Sequence, residues 1–179
     1  MTHRIILFRG MNTGGVRAPV GEQRAMAEAM GLRNPLTLLA SGNLVVESDR
    51  DPVELETAVE AETERRFGRR IETIVRSPAQ WAALIAANPF PEATSVDGSR
   101  LLVMVMKDGI KPGGLEAVRS FAVGEERVEA AAGALFFWHP EGIGSSKMAA
   151  RAQPRLIGLG TGRNWNTVLK LADMVGLKR

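Results

Sequence analysis

The order in which short apolar runs alternate with helical repeats constrains the fold of this chain more than any other feature. In the first half, apolar runs bounded by turn residues predict four strands, over residues 4–9, 36–40, 44–47 and 70–76. Between them, apolar residues at helical spacing predict two helices, over residues 23–30 and 52–67. The order β-α-β-β-α-β is that of a sheet built on a split βαβ unit.

The second half again has the order β-α-β-β-α, followed by a closing element. Three strands are predicted, over residues 100–106, 126–131 and 134–138. Three short helices are predicted, over residues 115–121, 146–152 and 165–175, and a glycine-rich stretch separates the last two. We therefore predict an α+β protein of two ferredoxin-like halves, each an antiparallel sheet with helices packed on one face. The halves span residues 1–77 and 98–179, with a connecting helix and linker over 78–97.

Local chemistry fixes several boundaries. Asp51-Pro52-Val53-Glu54 and Ser77-Pro78-Ala79-Gln80 each place a capping side chain, a proline and a polar residue three positions on, so a helix should begin at both. Ser41-Gly42-Asn43 indicates a hairpin turn, although a bulge within one long strand fits nearly as well.

Composition excludes several classes of protein. The chain contains no cysteine, which rules out disulfides, thiolate metal sites and cysteine nucleophiles. No apolar run approaches the length of a membrane span, and the first ten residues read as a strand rather than a signal peptide. We expect a cytoplasmic protein that does not bind membranes.

The positive charge is concentrated near the end of the chain. Residues 142–179 contain seven basic residues and only one acidic residue, a net charge of +6. Such a segment can bind an anion or nucleic acid, but a solvated surface is the commoner explanation.

Two polar clusters lie in the first half. Arg9-Gly10-Met11-Asn12, followed by Gly14 and Gly15, places an arginine at the end of a strand beside a glycine-bearing loop. Glycine lets backbone amides approach a ligand, and arginine holds phosphate or carboxylate. The second cluster is Ser41-Gly42-Asn43. Each has a simpler interpretation as an ordinary turn.

Two more clusters lie in the second half. Residues 142–147 form a glycine-rich loop that opens a helix and ends in Lys147, but they lack the order of a Walker A loop. Arg163-Asn164-Trp165-Asn166-Thr167 spans the start of the last helix. Asn164 suits an N-cap and Trp165 fits the packed stripe of that helix, which leaves Arg163 and Asn166 without an equally simple role.

These clusters suit binding better than catalysis. The chain has two histidines, neither with an evident partner, and the clusters contain no paired acids and no metal-ligand spacing. No cofactor or metal is predicted. The candidate ligand-binding residues are Arg9, Asn12, Ser41, Asn43, Lys147, Arg163, Asn164 and Asn166.

The motifs together resemble the bacterial family called domain of unknown function 1697, and the resemblance spans nearly the whole chain. Beside the four clusters, it includes Asn88-Pro89-Phe90. Met11 departs from the smaller branched apolar residue that is usual in the family. The resemblance implies two ferredoxin-like halves and brings no catalytic mechanism.

Three functional hypotheses follow. The leading one is a module that binds an anionic or phosphorylated ligand, with a nucleotide or nucleic acid included. The second is an enzyme such as a transferase that stabilises charge on a small anionic substrate with arginine, lysine and backbone amides. The third is a structural or partner-binding protein, favoured if the side chains of the motifs are buried and satisfied by each other.

Overall fold

The computed structural model describes residues 1–13 and 15–178. They form two compact units: Met1–Trp81 with the segment from Leu171 onward, and Ala82–Lys170. Within the described residues, every helix is too short or too polar to cross a membrane.

The first unit has the predicted βαββαβ order. Its elements are β1 (Thr2–Phe8), α1 (Val20–Ala29), β2 (Arg33–Thr37), β3 (Asn43–Ser48), α2 (Pro52–Phe67) and β4 (Thr73–Arg76). The strands form one antiparallel sheet in the order β2-β3-β1-β4. Of the two interpretations of Ser41-Gly42-Asn43, the hairpin is therefore correct.

One face of this sheet packs against α1 and α2. Alternate residues of β1 and β3, including Ile6, Phe8 and Leu44, are fully buried there, in line with the two-residue period of a strand. Met26 of α1 and Val59 of α2 are fully buried in the same core. The two helices thus cover this face of the sheet.

Two buried glutamates of α2 protect the edge strand β4. Glu60 accepts from the Thr73 N–H at 3.0 Å, and Glu56 accepts from the Val75 N–H at 2.9 Å. Arg70 and Arg76 pair with these carboxylates. Backbone donors that would otherwise lie open at the sheet edge are therefore satisfied by side chains.

The second unit repeats the topology of the first. Between α3 (Pro78–Ala86) and the final helix α8 (Trp165–Met174), the elements are α4 (Pro91–Val96), β5 (Leu101–Met106), α5 (Gly114–Arg119), β6 (Arg127–Ala131), β7 (Ala134–Trp138), α6 (Lys147–Arg151), α7 (Pro154–Ile157) and β8 (Gly160–Asn164). The antiparallel sheet has the order β6-β7-β5-β8, which matches that of the first unit strand for strand. The predicted α+β fold of two ferredoxin-like halves is confirmed.

The glycine-rich stretch before the last helix was expected to be a separator, and this expectation is wrong. Residues 160–164 form the edge strand β8, paired with β5. A Cβ at Gly160 would lie 2.8 Å from Met106 Sδ, and one at Gly162 would lie 2.9 Å from Leu102 Cδ1. Glycine in this strand reflects close approach to β5, not a loop.

The Asn88-Pro89-Phe90 segment connects α3 to the short helix α4, which the sequence analysis did not predict. The Asn88 side chain accepts from the Phe90 N–H at 2.9 Å and donates to Thr94 Oγ1 at 3.0 Å. Pro91 then begins α4. The motif is a turn held by its asparagine.

Both predicted helix starts are confirmed. Asp51 accepts from the N–H groups of Val53 and Glu54 at 2.9 and 3.4 Å, and α2 ends at Gly68 in the left-handed conformation. At α3, Ser77 Oγ accepts from the Gln80 N–H at 3.2 Å while Gln80 Oε1 accepts from the Ser77 N–H at 2.9 Å. This reciprocal pair is a complete capping box.

The capping box predicts the effect of removing its serine. We expect Ser77→Ala to lower the free energy of unfolding by about 1 kcal/mol, because an N–H at the start of α3 loses its acceptor. Ser77→Asp supplies an equivalent acceptor and should keep the wild-type stability. Chemical denaturation measures both variants, and equal midpoints for Ser77→Ala and wild type would show that the cap contributes nothing.

Candidate functional site

The first two polar clusters meet in the first unit, where the Asn12 side chain joins two loops. Its Nδ2 donates to Ala18 O at 2.8 Å and to Ala40 O at 2.6 Å, and its Oδ1 accepts from the Ala18 N–H at 2.7 Å. Asn12 holds these bonds with φ at 59°, a left-handed conformation that asparagine tolerates better than most residues. Its amide thus positions the two loops.

Gln23 of α1 supports the same junction and was missed by the sequence analysis. Its side chain is fully buried, and Nε2 donates to Ala18 O at 2.9 Å, with Ala40 O at 3.5 Å. Its Oε1 is buried without a donor among the described residues. In the sequence Gln23 reads as one polar residue of an amphipathic helix, so only its place in the fold reveals this role.

The Ser41-Gly42-Asn43 turn is shaped by close packing. A Cβ at Gly42 would lie 2.8 Å from Phe8 Cβ and 3.1 Å from Met11 Cβ, and its φ is +97°. Asn43 is fully buried and donates from Nδ2 to Leu38 O at 2.8 Å. Of the three residues, only Ser41 presents its side chain to solvent.

The joined loops border a cleft of about 580 Å³, which we call the α1 cleft; it is lined by Asn12, Gly15, Val16, Arg17, Pro19 and Ala40. Pro19 is the N-cap of α1 and provides no capping side chain. The N–H groups of Val20 and Gly21 have no acceptor within the described part of the chain. A Cβ at Gly21 would meet nothing within 4 Å, so the space beside this helix start is open.

Two arginines bring positive charge to this part of the first unit. Arg17 lines the cleft and Arg9 follows β1; both are exposed, and neither has a side-chain partner in residues 1–13 and 15–178. Arg9 belongs to one of the polar clusters found in the sequence, whereas Arg17 belongs to none of them. Its position between a glycine pair and the proline that starts α1 is a pattern that could have found it.

The third cluster lies in the second unit in acidic surroundings. Ser146 caps α6 by accepting from the Ala149 N–H at 3.1 Å, and Lys147 is exposed. The loop borders a cleft of about 430 Å³ lined by Val123, Gly124, Glu125, Glu126, Pro140, Glu141 and Ser145. Three carboxylates oppose an anion there, and a helix of five residues adds little dipole to offset them.

Glu126 organises a buried network under this loop. It accepts from the Val123 N–H at 2.9 Å and lies 3.5 Å from Nδ1 of the fully buried His139. Burial alone would raise the pKa of Glu126, but hydrogen bonds from Ser146, Val123 and His139 together lower it. Burial lowers the pKa of His139 against the opposing influence of Glu126.

These shifts predict a loss of stability in acid. Both groups bind protons more weakly in the folded protein, so the free energy of unfolding should fall as pH drops below the ordinary histidine pKa of 6.5. A further fall should follow below the ordinary glutamate value of 4.5. Urea denaturation between pH 8 and 4 would measure this, with His139→Gln as the variant that cannot titrate. The variant should lose less stability between pH 7 and 5; parallel curves would contradict the assignment to His139.

The fourth cluster is largely structural. Asn164 Oδ1 accepts from the Thr167 N–H at 2.9 Å, which confirms it as the cap of α8. Arg163 is 9% exposed and donates from Nη1 to Thr161 Oγ1 and to Gly162 O, both at 2.8 Å. Burial lowers the pKa of Arg163 to about 10, so its guanidinium stays charged at neutral pH. Asn166 is exposed, and its side chain lies against Gly98.

No group of three or more His, Asp or Glu side chains in the described ranges is arranged to hold a metal ion. Asn43 and Asn164, like Asn12, bond to backbone groups, as a structural role requires. Arg9, Ser41, Lys147 and Asn166 are the predicted residues whose side chains face solvent.

Fold and motifs define a class of α+β protein in which two ferredoxin-like units follow each other in one chain. The chain belongs to the family described as protein of unknown function (DUF1697), whose model matches residues 1–136. A conserved bacterial protein from Streptococcus pneumoniae has a similar structure, with a TM-score of 0.77 and 21% sequence identity over 97% of this chain and 98% of that one. Similarity at this identity shows the fold alone. No curated protein matches the chain.

Proposed function

We propose that the protein binds a small anionic ligand, a phosphoryl or carboxylate compound, in the α1 cleft. The observation that carries this proposal is the open start of α1, whose first N–H groups have no acceptor in the described chain while Arg17 stands at the same cleft without a partner. Backbone donors and a cation at one place are complementary to an anion.

The physics of the helix start supports the choice of charge. The first N–H groups of a helix need an acceptor, and the helix dipole adds partial positive charge at the same end. Helix α1 has ten residues and no capping side chain. An anionic oxygen at its start can therefore accept from the unpaired N–H groups and interact favourably with the positive end of the helix dipole. Arg17 can add a charge-assisted hydrogen bond.

Binding is a better proposal than catalysis for this cleft. Its described lining residues include no histidine, aspartate, glutamate, lysine or tyrosine, so they offer no side chain suited to proton transfer near neutral pH. Asn12 and Asn43 hold the loops, and Arg9 and Ser41 remain candidates for direct contact. Lys147 and Arg163 contribute less, because Lys147 follows a loop that borders a cleft lined by three carboxylates and Arg163 is buried.

Calorimetry with phosphate, AMP and a short oligonucleotide tests the proposal. We expect Arg17→Met to weaken anion binding about 10- to 100-fold, the loss of one charge-assisted contact. The matched control is Arg65→Met, which removes the same charge from an exposed residue of α2 that pairs with Glu62. Arg65→Met should bind as wild type does. Absence of binding in wild type, or equal weakening by both variants, would refute a site at Arg17.

The salt dependence of oligonucleotide binding would show how far the contact surface extends. One or two phosphate contacts predict a log–log slope of about −0.7 to −1.4 for a single strand. A much steeper slope would require a larger basic surface than the α1 cleft provides.

A further inference from the structure

A second cleft, independent of the α1 cleft, lies within the second unit beside the short helices α6 and α7. Its volume is about 300 Å³, and it is lined by Phe121, Arg151, Gln153, Arg155 and Leu156. None of the sequence motifs includes these residues. The volume is at the lower end of the range of small-molecule sites, which suits a ligand the size of a mononucleotide.

The cleft is basic and its cations are not neutralised. Arg151 and Arg155 are exposed, and neither guanidinium has a hydrogen bond or ion pair with any described residue. Among the residues that the structure describes, none that lines this cleft carries a carboxylate. Lys111 brings a third cation alongside α7, where its Nζ donates to Arg155 O at 3.1 Å. Two of the basic residues of the positively charged segment 142–179 therefore line this one cleft.

One of these cations is held by an aromatic ring. The guanidinium carbon of Arg151 lies 5.1 Å from the centroid of Phe121, within the range of a cation–π contact. Phe121 and Leu156 are both half-buried, so part of their apolar surface remains uncovered. A solvated lysine or arginine face would show neither the concavity nor the aromatic wall.

We propose that this cleft binds a nucleoside phosphate. Paired guanidinium groups recognise phosphate oxygens through their forked N–H donors. Aromatic rings and guanidinium planes are the surfaces on which unpaired bases stack. The Gln153 side chain donates from Nε2 to Ala150 O at 3.2 Å, and its Oε1 has no donor among described residues, so it can accept from a base N–H.

The probes separate the chemical parts of the ligand. Calorimetry would use AMP, adenosine, inorganic phosphate and a hexamer of adenylate. AMP should bind at least tenfold more tightly than adenosine or inorganic phosphate, because only AMP engages both the arginines and the ring. A hexamer that binds tightly where AMP is weak would identify a single strand as the source of the same nucleotide unit; no binding of either would overturn the proposal.

The variants locate the binding. Arg155→Met and Arg151→Met should each weaken AMP about tenfold, and Phe121→Leu about 5- to 100-fold through lost stacking. Lys170→Met, which removes one charge from an exposed residue of α8, should change nothing. Because the Phe121 ring is partly packed, thermal unfolding of Phe121→Leu would show whether the substitution also destabilises the fold. Arg155→Met tests the same cleft without touching the core.

Failure of this proposal can be told from failure of the α1 cleft. If AMP binding falls in Arg17→Met and not in Arg155→Met, the nucleotide occupies the α1 cleft and the second cleft is refuted. If AMP binding falls in Arg155→Met and not in Arg17→Met, AMP occupies the second cleft, and this result does not depend on whether the α1 cleft binds an anion.

Discussion

Gly42→Ala should destabilise the first unit by about 2 to 5 kcal/mol. Gly42 has φ at +97°, where an L-residue is strained by about 1 to 2 kcal/mol. The added Cβ would also lie 2.8 Å from Phe8 Cβ, and relief of such an overlap in a packed core costs about 1 to 3 kcal/mol. Because Phe8 is fully buried in the core, its side chain cannot move away from the added Cβ without disturbing the packing around it. The measurement is the free energy of unfolding in urea.

Gly10→Ala is the matched control for this substitution. Gly10 has a similar φ of +79°, but a Cβ there would meet nothing within 4 Å. Only the conformational strain should appear, about 1 to 2 kcal/mol. If the two variants were equally stable, the close approach of Gly42 to β1 would not matter to the fold.

Loss of the Asn12 side chain should also have a large effect. Asn12→Gly removes three hydrogen bonds that join the two loops, at about 0.5 to 1.5 kcal/mol each, so we expect a loss of about 2 to 4 kcal/mol. Because the α1 cleft is bordered by these loops, anion binding should weaken as well.

Comparison with Asn12→Ala separates the hydrogen bonds from the backbone. Asn12 has φ at 59°, which glycine adopts freely and alanine does not, so Asn12→Ala should be about 1 kcal/mol less stable than Asn12→Gly. Wild-type stability in Asn12→Gly would show that the amide does not hold the loops together.

The secondary structure was predicted well where it depends on residues that are close together in the chain. The apolar runs of β1 and β3 and the caps at Asp51 and Ser77 each involve residues that are close together in the chain, so the sequence alone contains them. The predicted strands 126–131 and 134–138 are likewise joined by a tight hairpin turn at Ala132-Gly133, with φ of 47° and 71°. Strand β8 could not be predicted from local patterns, because its glycines are required by close approach to Met106 and Leu102, which are distant in sequence.

The candidate site was predicted only in part, for the same reason. Asn12 and Ser41-Gly42-Asn43 were rightly brought to attention, but the partners of Asn12 are the backbone groups of Ala18 and Ala40, which no local pattern reveals. Arg17 and Gln23 become notable only beside the open start of α1. In the third cluster, Ser145 borders a cleft together with Glu125 and Glu126, which the fold brings to it from another segment.

An amide NMR titration with inorganic phosphate tests the anion site in the α1 cleft most directly, because it observes the proposed donors themselves. The proposal predicts saturable shifts of the Val20 and Gly21 N–H signals, their loss in Arg17→Met and their retention in Arg65→Met. Unshifted Val20 and Gly21 signals at saturating phosphate, or shifts that persist unchanged in Arg17→Met, would contradict it.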